Sequence, residues 1–348
     1  MQAFIYKTLE GNLFESNKTF NKSNNPKISI VIPIYNGESY IKSALISIQN
    51  QDFNDLEIIM IDDFSEDNTI KLIKEFMIKD PRIILLQNEE NKGILFTKTK
   101  GILSSKGKYV MILNVDDIYV QRDAFSTLYK EAEKNNLDIL GFGSIESEGK
   151  LHKGQYISRY MNTSILFQPY VSKMMYDFAN NNKKVKRIGD AIFNYFFKAD
   201  IFINVIKQIE QKFLKTKTNF NDDFFLFFLI TRKAKNLRQI KRIFYIKLKR
   251  KKENENSEIN KDRDNLRCLA YINYIEFLLT YTDNNDIDKK ISSFELDNFL
   301  LNNKCRVNKL ILDRAILVCK LFLENKYIEI EEKNKIHAFL NETRKSNI

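Results

Sequence analysis

Three acidic pairs in this sequence stand directly beside apolar runs: Asp62-Asp63, Asp116-Asp117 and Asp222-Asp223. Paired carboxylates can hold a hard divalent cation through oxygen, or one of them can take a proton from a hydroxyl. Soft-ligand chemistry is not expected. The only histidines are His152 and His337, and Cys268, Cys305 and Cys319 form no C-x-x-C pair, which points away from a zinc site and a disulfide framework. A metal held here would be Mg²⁺ or Mn²⁺, which keep waters and complete their shells with substrate phosphates. The plain alternative for each pair is a helix cap with acidic first-turn residues. For Asn221-Asp222-Asp223, at the head of the apolar run Phe224–Ile230, the residues alone favour that alternative.

The other two pairs gain weight from the elements that carry them. Ile28–Pro33, Glu57–Ile61, Arg82–Leu86 and Tyr109–Leu113 are short β-branched or apolar runs that suit buried strands. Between them Ser39–Gln51, Asp67–Lys79 and Gly93–Ser105 have helical spacing, with Ser39 and Ser65-Glu66-Asp67 as start signals. This β-α-β-α-β-α-β alternation predicts a parallel α/β sheet, whose ligands bind outside the carboxyl ends of the strands. The first strand exits into Tyr35-Asn36-Gly37-Glu38, the second into Asp62-Asp63-Phe64-Ser65 and the fourth into Asn114-Val115-Asp116-Asp117. Two acidic pairs therefore share one rim. No G-x-G-x-x-G or G-x-x-x-x-G-K-[ST] loop is present to cradle phosphates, so a cation bridging carboxylate to diphosphate is the expected substitute. A phosphoreceiver domain is excluded, because its first and third strands would end in acids and these end in Tyr35-Asn36 and Gln87-Asn88.

Five blocks in order, Ile28–Glu38, Glu57–Asp67, Asn91-Lys92-Gly93, Lys106-Gly107-Lys108-Tyr109 and Asn114–Asp117, resemble glycosyltransferase family 2. The resemblance continues through Phe193–Asp200, Asn221–Phe224 and Tyr245–Arg250, and does not extend over 264–348. It implies a GT-A fold and inverting transfer from a nucleotide-diphosphate sugar, most simply a UDP-sugar, to an acceptor hydroxyl. Carried over by position, it implies that Pro33, Tyr35, Asn36 and Glu38 line the nucleotide pocket and that Asp63, with Asp62, recognises the base. Lys98 and Asp116 would join the nucleotide site, and Asp117, Asp116 and Asn114 would bind Mn²⁺ or Mg²⁺. Asp223, beside Asp222, would be the general base. Two positions depart from the family pattern. Asn114 replaces the first Asp of D-x-D, and Lys98 replaces an Arg, keeping charge but losing the bidentate fork. They keep open an alternative, a weak or inactive GT-A protein that binds sugar nucleotides, in which Asp at position 114 would restore transfer.

The expected organisation is a polar tail (1–26), a Rossmann-like, mostly parallel GT-A domain (27–150), a mixed acceptor and base region (151–252), and a linker with a C-terminal α-helical region (253–348). In that last part 251–264 reads as a charged linker or loop, and 264–281, 293–301 and 307–325 as amphipathic helices. Aromatic-rich Phe193–Phe197 and Phe224–Ile230 read as helical. The net charge of +11 is concentrated in Arg232–Lys252, which carries eleven basic residues and no acid. That run reads as a solvated face, a diphosphate-facing strand or an anionic-membrane patch, and no nucleic-acid partner is expected. Met1–Asn25 lacks the apolar core of a secretory signal, and no run approaches the ~20 residues of a membrane span. The chain is expected to be cytoplasmic, with peripheral contact on the cytosolic face of a membrane and a homodimer kept open. The acceptor is a saccharide, a lipid-linked group or a protein.

Overall fold

The computed structural model describes residues 19–147, 155–156, 166–167, 176–178, 185–187, 192–209, 211–214, 222–248, 272, 276, 316–320, 323 and 330–345. Strands β1 (Ile28–Ile34), β2 (Leu56–Asp62), β3 (Ile83–Gln87) and β4 (Tyr109–Ile112) alternate with helices α1 (Ile41–Gln49), α2 (Thr69–Lys79) and α3 (Ile94–Leu103). Next come β5 (Ile118–Tyr119), α4 (Ala124–Lys134), β6 (Ile139–Ser147) and the short strands β7 (Gln155–Tyr156), β8 (Leu166–Phe167), β9 (Tyr176–Phe178) and β10 (Val185–Arg187). The described elements end with β11 (Tyr195–Lys198), α5 (Ala199–Ile206), α6 (Gln211–Leu214), α7 (Asp222–Lys233), β12 (Asn236–Leu248) and α8 (Ile330–Lys345).

The main path of the sheet runs β3-β2-β1-β4-β11-β6-β12-β5, with β7 added to β6 and β8 to β12. β1 to β4 are mutually parallel, as the alternation predicts. β11 then enters antiparallel to both β4 and β6, while β12 is parallel to β6. The chain divides into two compact units. The first holds Met1–Ser172, Ala191–Lys217 and Leu226–Lys252 and contains this sheet. The second holds Lys173–Asp190, Thr218–Phe225 and Glu253–Ile348, and includes the antiparallel β9–β10 pair and α8.

Helix α1 buries Ile41, Ala44, Leu45 and Ile48, the i, i+3, i+4, i+7 stripe of a helix laid on a sheet. Each of its large aliphatics contributes about 1.5–3 kcal/mol on burial. Ser39 is not its cap; the Gly37 carbonyl accepts the Tyr40 and Ile41 amides instead. At α2 the Asp67 carboxylate accepts the Thr69 amide. β3 is an edge strand, so only its Ile83 is buried and the expectation of two covered faces fails there.

Phe193–Phe197, expected to be helical, forms a 3₁₀ turn leading into β11. Its aromatics alternate across the sheet: Phe196 stacks on Tyr109 at 4.6 Å, whereas Tyr195 and Phe197 lie 4.4 and 6.4 Å from Phe227 of α7. A period of two is strand geometry. The tail also departs from expectation at its end, where Phe20 lies buried with the Arg82 guanidinium 3.8 Å from its ring centre. Arg82 is itself buried and paired with buried Asp80.

Of the expected C-terminal helices, 264–281, 293–301 and 307–325, only 272, 276, 316–320 and 323 are described, and these are helical; the rest, with the 251–264 linker, lies outside the described residues. α8 is an addition that no apolar stripe announced. Within the basic run, β12 is a sheet strand, and Arg238 and Arg242 pair with Glu131 and Asp123 near the two ends of α4, each at 2.9 Å. That favours the strand reading over a free basic patch. Among the described residues no helix is long and apolar enough to cross a membrane.

Gly107 makes β4 possible beside β1. A Cβ there would lie 2.5 Å from the Ser29 amide nitrogen and 2.7 Å from the Ile28 carbonyl carbon, both backbone atoms of a central strand. Gly107→Ala is expected to lower stability by about 1–3 kcal/mol, read as a fall in Tm. An unchanged Tm would mean that the two strands part more easily than this packing allows.

Candidate active site

The strand order 3-2-1-4 reverses between β1 and β4, because the chain steps outward from β1 to β3 and then returns to the other side of β1. Ligands of open α/β sheets bind outside the carboxyl ends at such a point. The loops after β1 and β4 flank it, and the loop after β2 adjoins them, since Ile34 pairs with Asp62 in register. Topology thus brings Tyr35–Glu38, Asp62–Ser65 and Asn114–Asp117 to one rim.

The first two loops are fastened to each other. Asn36 donates its amide to Ser65 Oγ at 2.9 Å and accepts the Glu66 amide on Oδ1 at 3.0 Å. Gly37 donates to Thr69 Oγ1, and Glu38 accepts both the amide and the side chain of Asn68. Asn36 and Glu38, expected to line the pocket, therefore spend polar atoms on fixing its wall. Pro33 lies buried inside β1, beyond the last β1–β4 pair, Val31 with Ile112, so its missing N–H falls where one flank has no ladder. Tyr35 emerges to the surface at 48% exposure.

Asp63 is buried and holds the Asn91-Lys92-Gly93 block. Its Oδ1 accepts the Asn88 side-chain amide and the Lys92 amide, both at 2.8 Å, and its Oδ2 accepts the Gly93 amide at 2.9 Å. Gly93 has φ 87°, a conformation that favours glycine. The acid expected to read the base directly is thus bound up in shaping the adjoining loop. Asp62 accepts the Ser65 amide on Oδ2, while its Oδ1 is buried without a partner. Lys98, expected at the nucleotide, lies on α3 only 3% exposed.

The loop after β4 carries the acids expected to hold metal, and here the structure separates two neighbours. Asp116 is half-buried, whereas Asp117 is 2% exposed. Asp117 Oδ2 accepts the Tyr245 hydroxyl at 2.6 Å and the Asn114 side-chain amide at 3.0 Å, and Oδ1 accepts the Leu248 amide at 2.9 Å. Burial, then the nearby Asp116 charge, push its carboxyl up to about 6. β5 follows this loop at once and pairs with β12, setting Tyr119 opposite Tyr245, and this pairing delivers the phenol to Asp117. Tyr245 is the residue that sequence reasoning missed in this role, since only strand register links positions so far apart.

Asp117 therefore anchors the loop to β12, both of its carboxylate oxygens accepting hydrogen bonds. The Asn114 Nδ2 donates to Asp117, which turns its Oδ1 the other way. Asp116 and the Asn114 Oδ1 are half-buried hard oxygen donors on the same turn. Among the described residues no cluster of three or more His, Cys, Asp or Glu could hold a metal. Two such donors fit Mg²⁺ or Mn²⁺ whose remaining positions are filled by phosphate and water. The same geometry opposes rescue by an acid at 114. Asn114→Asp removes an amide donor to Asp117 and puts a second carboxylate beside the first, a loss of about 1.5–3 kcal/mol. The expected result is a lower Tm without stronger Mn²⁺-dependent nucleotide binding; a raised Tm would contradict it.

Asp222 and Asp223 open α7 as its acidic first turn, where the helix N-terminus favours ionised carboxylates. They belong to the second compact unit.

Comparison with known proteins agrees with this architecture. A Campylobacter jejuni protein, GalNAc(5)-diNAcBac-PP-undecaprenol beta-1,3-glucosyltransferase, is 37% identical over 129 residues, 37% of this chain and 41% of that one, so the chain spans less than half of this relative. Staphylococcus aureus TarS 1–349 in complex with UDP-GlcNAc superposes with a TM-score of 0.62 at 14% identity, covering 91% of this chain and 88% of that one. The mannosyltransferase PcManGT from Pyrobaculum calidifontis, in complex with GDP-Man and Mn²⁺, gives 0.52 at 13% identity, covering 97% and 86%. The fold is the expected GT-A arrangement. The model of Glycosyl transferase family 2 matches residues 29–205, from β1 into α5 and just over half of the chain, so this protein belongs to glycosyltransferase family 2.

Proposed function

We propose that the protein transfers a sugar from a nucleotide-diphosphate sugar, a UDP-sugar in the first instance, to an acceptor hydroxyl with inversion at the anomeric carbon. The observation that carries this reading is the meeting of the Tyr35, Asp62-Asp63 and Asn114–Asp117 loops at the switch point of the sheet. Tyr35 offers an exposed aromatic face for the base, and Asp63 acts through the loop it holds. Asp116 and the Asn114 Oδ1 would hold Mg²⁺ or Mn²⁺, which supplies positive charge beside the departing diphosphate. Asp117 and Tyr245 keep that pair of donors in place.

On the opposite face of the sugar the acceptor oxygen attacks the anomeric carbon. The bond to the phosphate oxygen breaks as the glycosidic bond forms, and the hydroxyl proton passes to Asp223. A positioned base of this kind contributes ~10²–10⁴ in rate. Asp222, the neighbouring first-turn acid, completes the motif. The undecaprenol-linked saccharide in the name of the Campylobacter relative makes a lipid-linked acceptor the first to test, ahead of free saccharides and proteins. A cytosolic location with peripheral membrane contact suits such an acceptor.

The second reading, a binder that does not transfer, draws on Asn114 standing where the family pattern has Asp. A screen of nucleotide sugars with Mn²⁺, following nucleotide release with and without acceptors, separates the two. Turnover supports transfer, and affinity without any release supports the binder.

A further inference from the structure

Phe64 has φ 68°, a left-handed conformation that is a genuine outlier for a bulky side chain. Strain of this kind persists only where surrounding contacts impose it, and it gathers at ligand clamps. Here the neighbours do impose it: Asp62 Oδ2 accepts the Ser65 amide, and Ser65 Oγ accepts the Asn36 amide. The held side chain stays about half open to solvent. Phe64 is 49% exposed, and the other large hydrophobics with comparable or greater exposure among the described residues are Tyr35, Ile78, Leu103 and Leu317. Tyr35 and Phe64 are the aromatics of that set, and they leave adjacent paired strands at the rim, because Ile34 pairs with Asp62.

An exposed aromatic kept in an unfavourable backbone conformation, beside a second one on a hydrogen-bonded loop pair, is a platform for a flat ligand. We propose that Phe64 is a binding residue on which the nucleobase of the donor stacks, adding a second aromatic surface to that of Tyr35. This rests on the nucleotide-diphosphate reading above and deepens it, assigning base affinity to a residue that makes no phosphate contact. Stacking on an aromatic side chain is sequence-tolerant, so the platform strengthens binding of any nucleobase more than it selects among them.

The chain contains no tryptophan, so Phe64→Trp installs a single indole at the rim. Titration of this variant with UDP and Mn²⁺ is expected to quench its fluorescence saturably. Pyrophosphate and Mn²⁺ should compete with UDP yet leave the emission unchanged. In parallel, Phe64→Gly should bind UDP roughly tenfold more weakly by calorimetry and pyrophosphate as wild type does. Its Tm should not fall, because glycine accepts the left-handed backbone. UDP binding by Phe64→Trp with no change in emission, or by Phe64→Gly with wild-type affinity, overturns the proposal. A wild-type protein that binds neither UDP nor pyrophosphate overturns the underlying functional reading, and this inference with it.

Discussion

Asp223→Asn is expected to abolish measurable transfer while leaving UDP affinity unchanged. The substitution keeps the size and hydrogen-bonding shape of the side chain and removes only its capacity to accept a proton, so the loss should fall on turnover by ~10²–10⁴. The position suits an ionised acid, since Asp223 lies in the first turn of α7, where the helix dipole favours negative charge. Asp222→Asn is the control, because the same field acts on it. If Asp222→Asn abolishes turnover and Asp223→Asn does not, the base is the first acid of the pair; undiminished turnover in both removes the motif from the chemistry.

Asp116→Ala should have the second largest effect, and of a different kind. Asp117 is hydrogen-bonded to Tyr245, Asn114 and Leu248, and the half-buried Asp116 is the carboxylate of this loop proposed to face a cation. Its loss removes charge stabilisation of several kcal/mol, on the order of a thousandfold in turnover, together with the metal dependence of nucleotide binding. Asp117→Asn tests whether Asp117 serves as an anchor or as the metal ligand. It retains a side chain of the same shape at the anchor, so its main effect should appear in Tm, with Mn²⁺-dependent UDP binding preserved. Loss of metal-dependent binding in Asp117→Asn but not in Asp116→Ala would return ligation to Asp117.

The strands, the helices between them and the shared rim were legible because β1 to β4 are local units, continuous apolar runs joined by helices of period 3.6. What a side chain does once it reaches the rim was not legible. Asp62-Asp63 and Asp116-Asp117 each read as an acidic pair at a strand end, yet Asp63 shapes the Lys92-Gly93 turn and Asp117 is buried as an anchor to β12, while Asp116 is only half-buried. Those partners are set by strand register and burial, which the spacing of acids does not encode. The insertion of β11 antiparallel between β4 and β6 was hidden for a related reason. A short aromatic run carries no clear period, and only the packing of Phe196 on Tyr109 against that of Tyr195 on Phe227 reveals the strand. The left-handed backbone of Phe64 was hidden as well. A bulky residue disfavours positive φ, so its type argues against the conformation that the Asp62–Ser65 and Ser65–Asn36 hydrogen bonds impose.

The most direct test of the rim as a cation-assisted diphosphate site is calorimetric titration of UDP into the wild-type chain, once with Mn²⁺ and once with EDTA. The structure predicts saturable binding with Mn²⁺ that weakens at least tenfold on chelation, as expected when the cation links the Asn114–Asp116 turn to phosphate. Equal affinity under both conditions, or no binding in either, would contradict it.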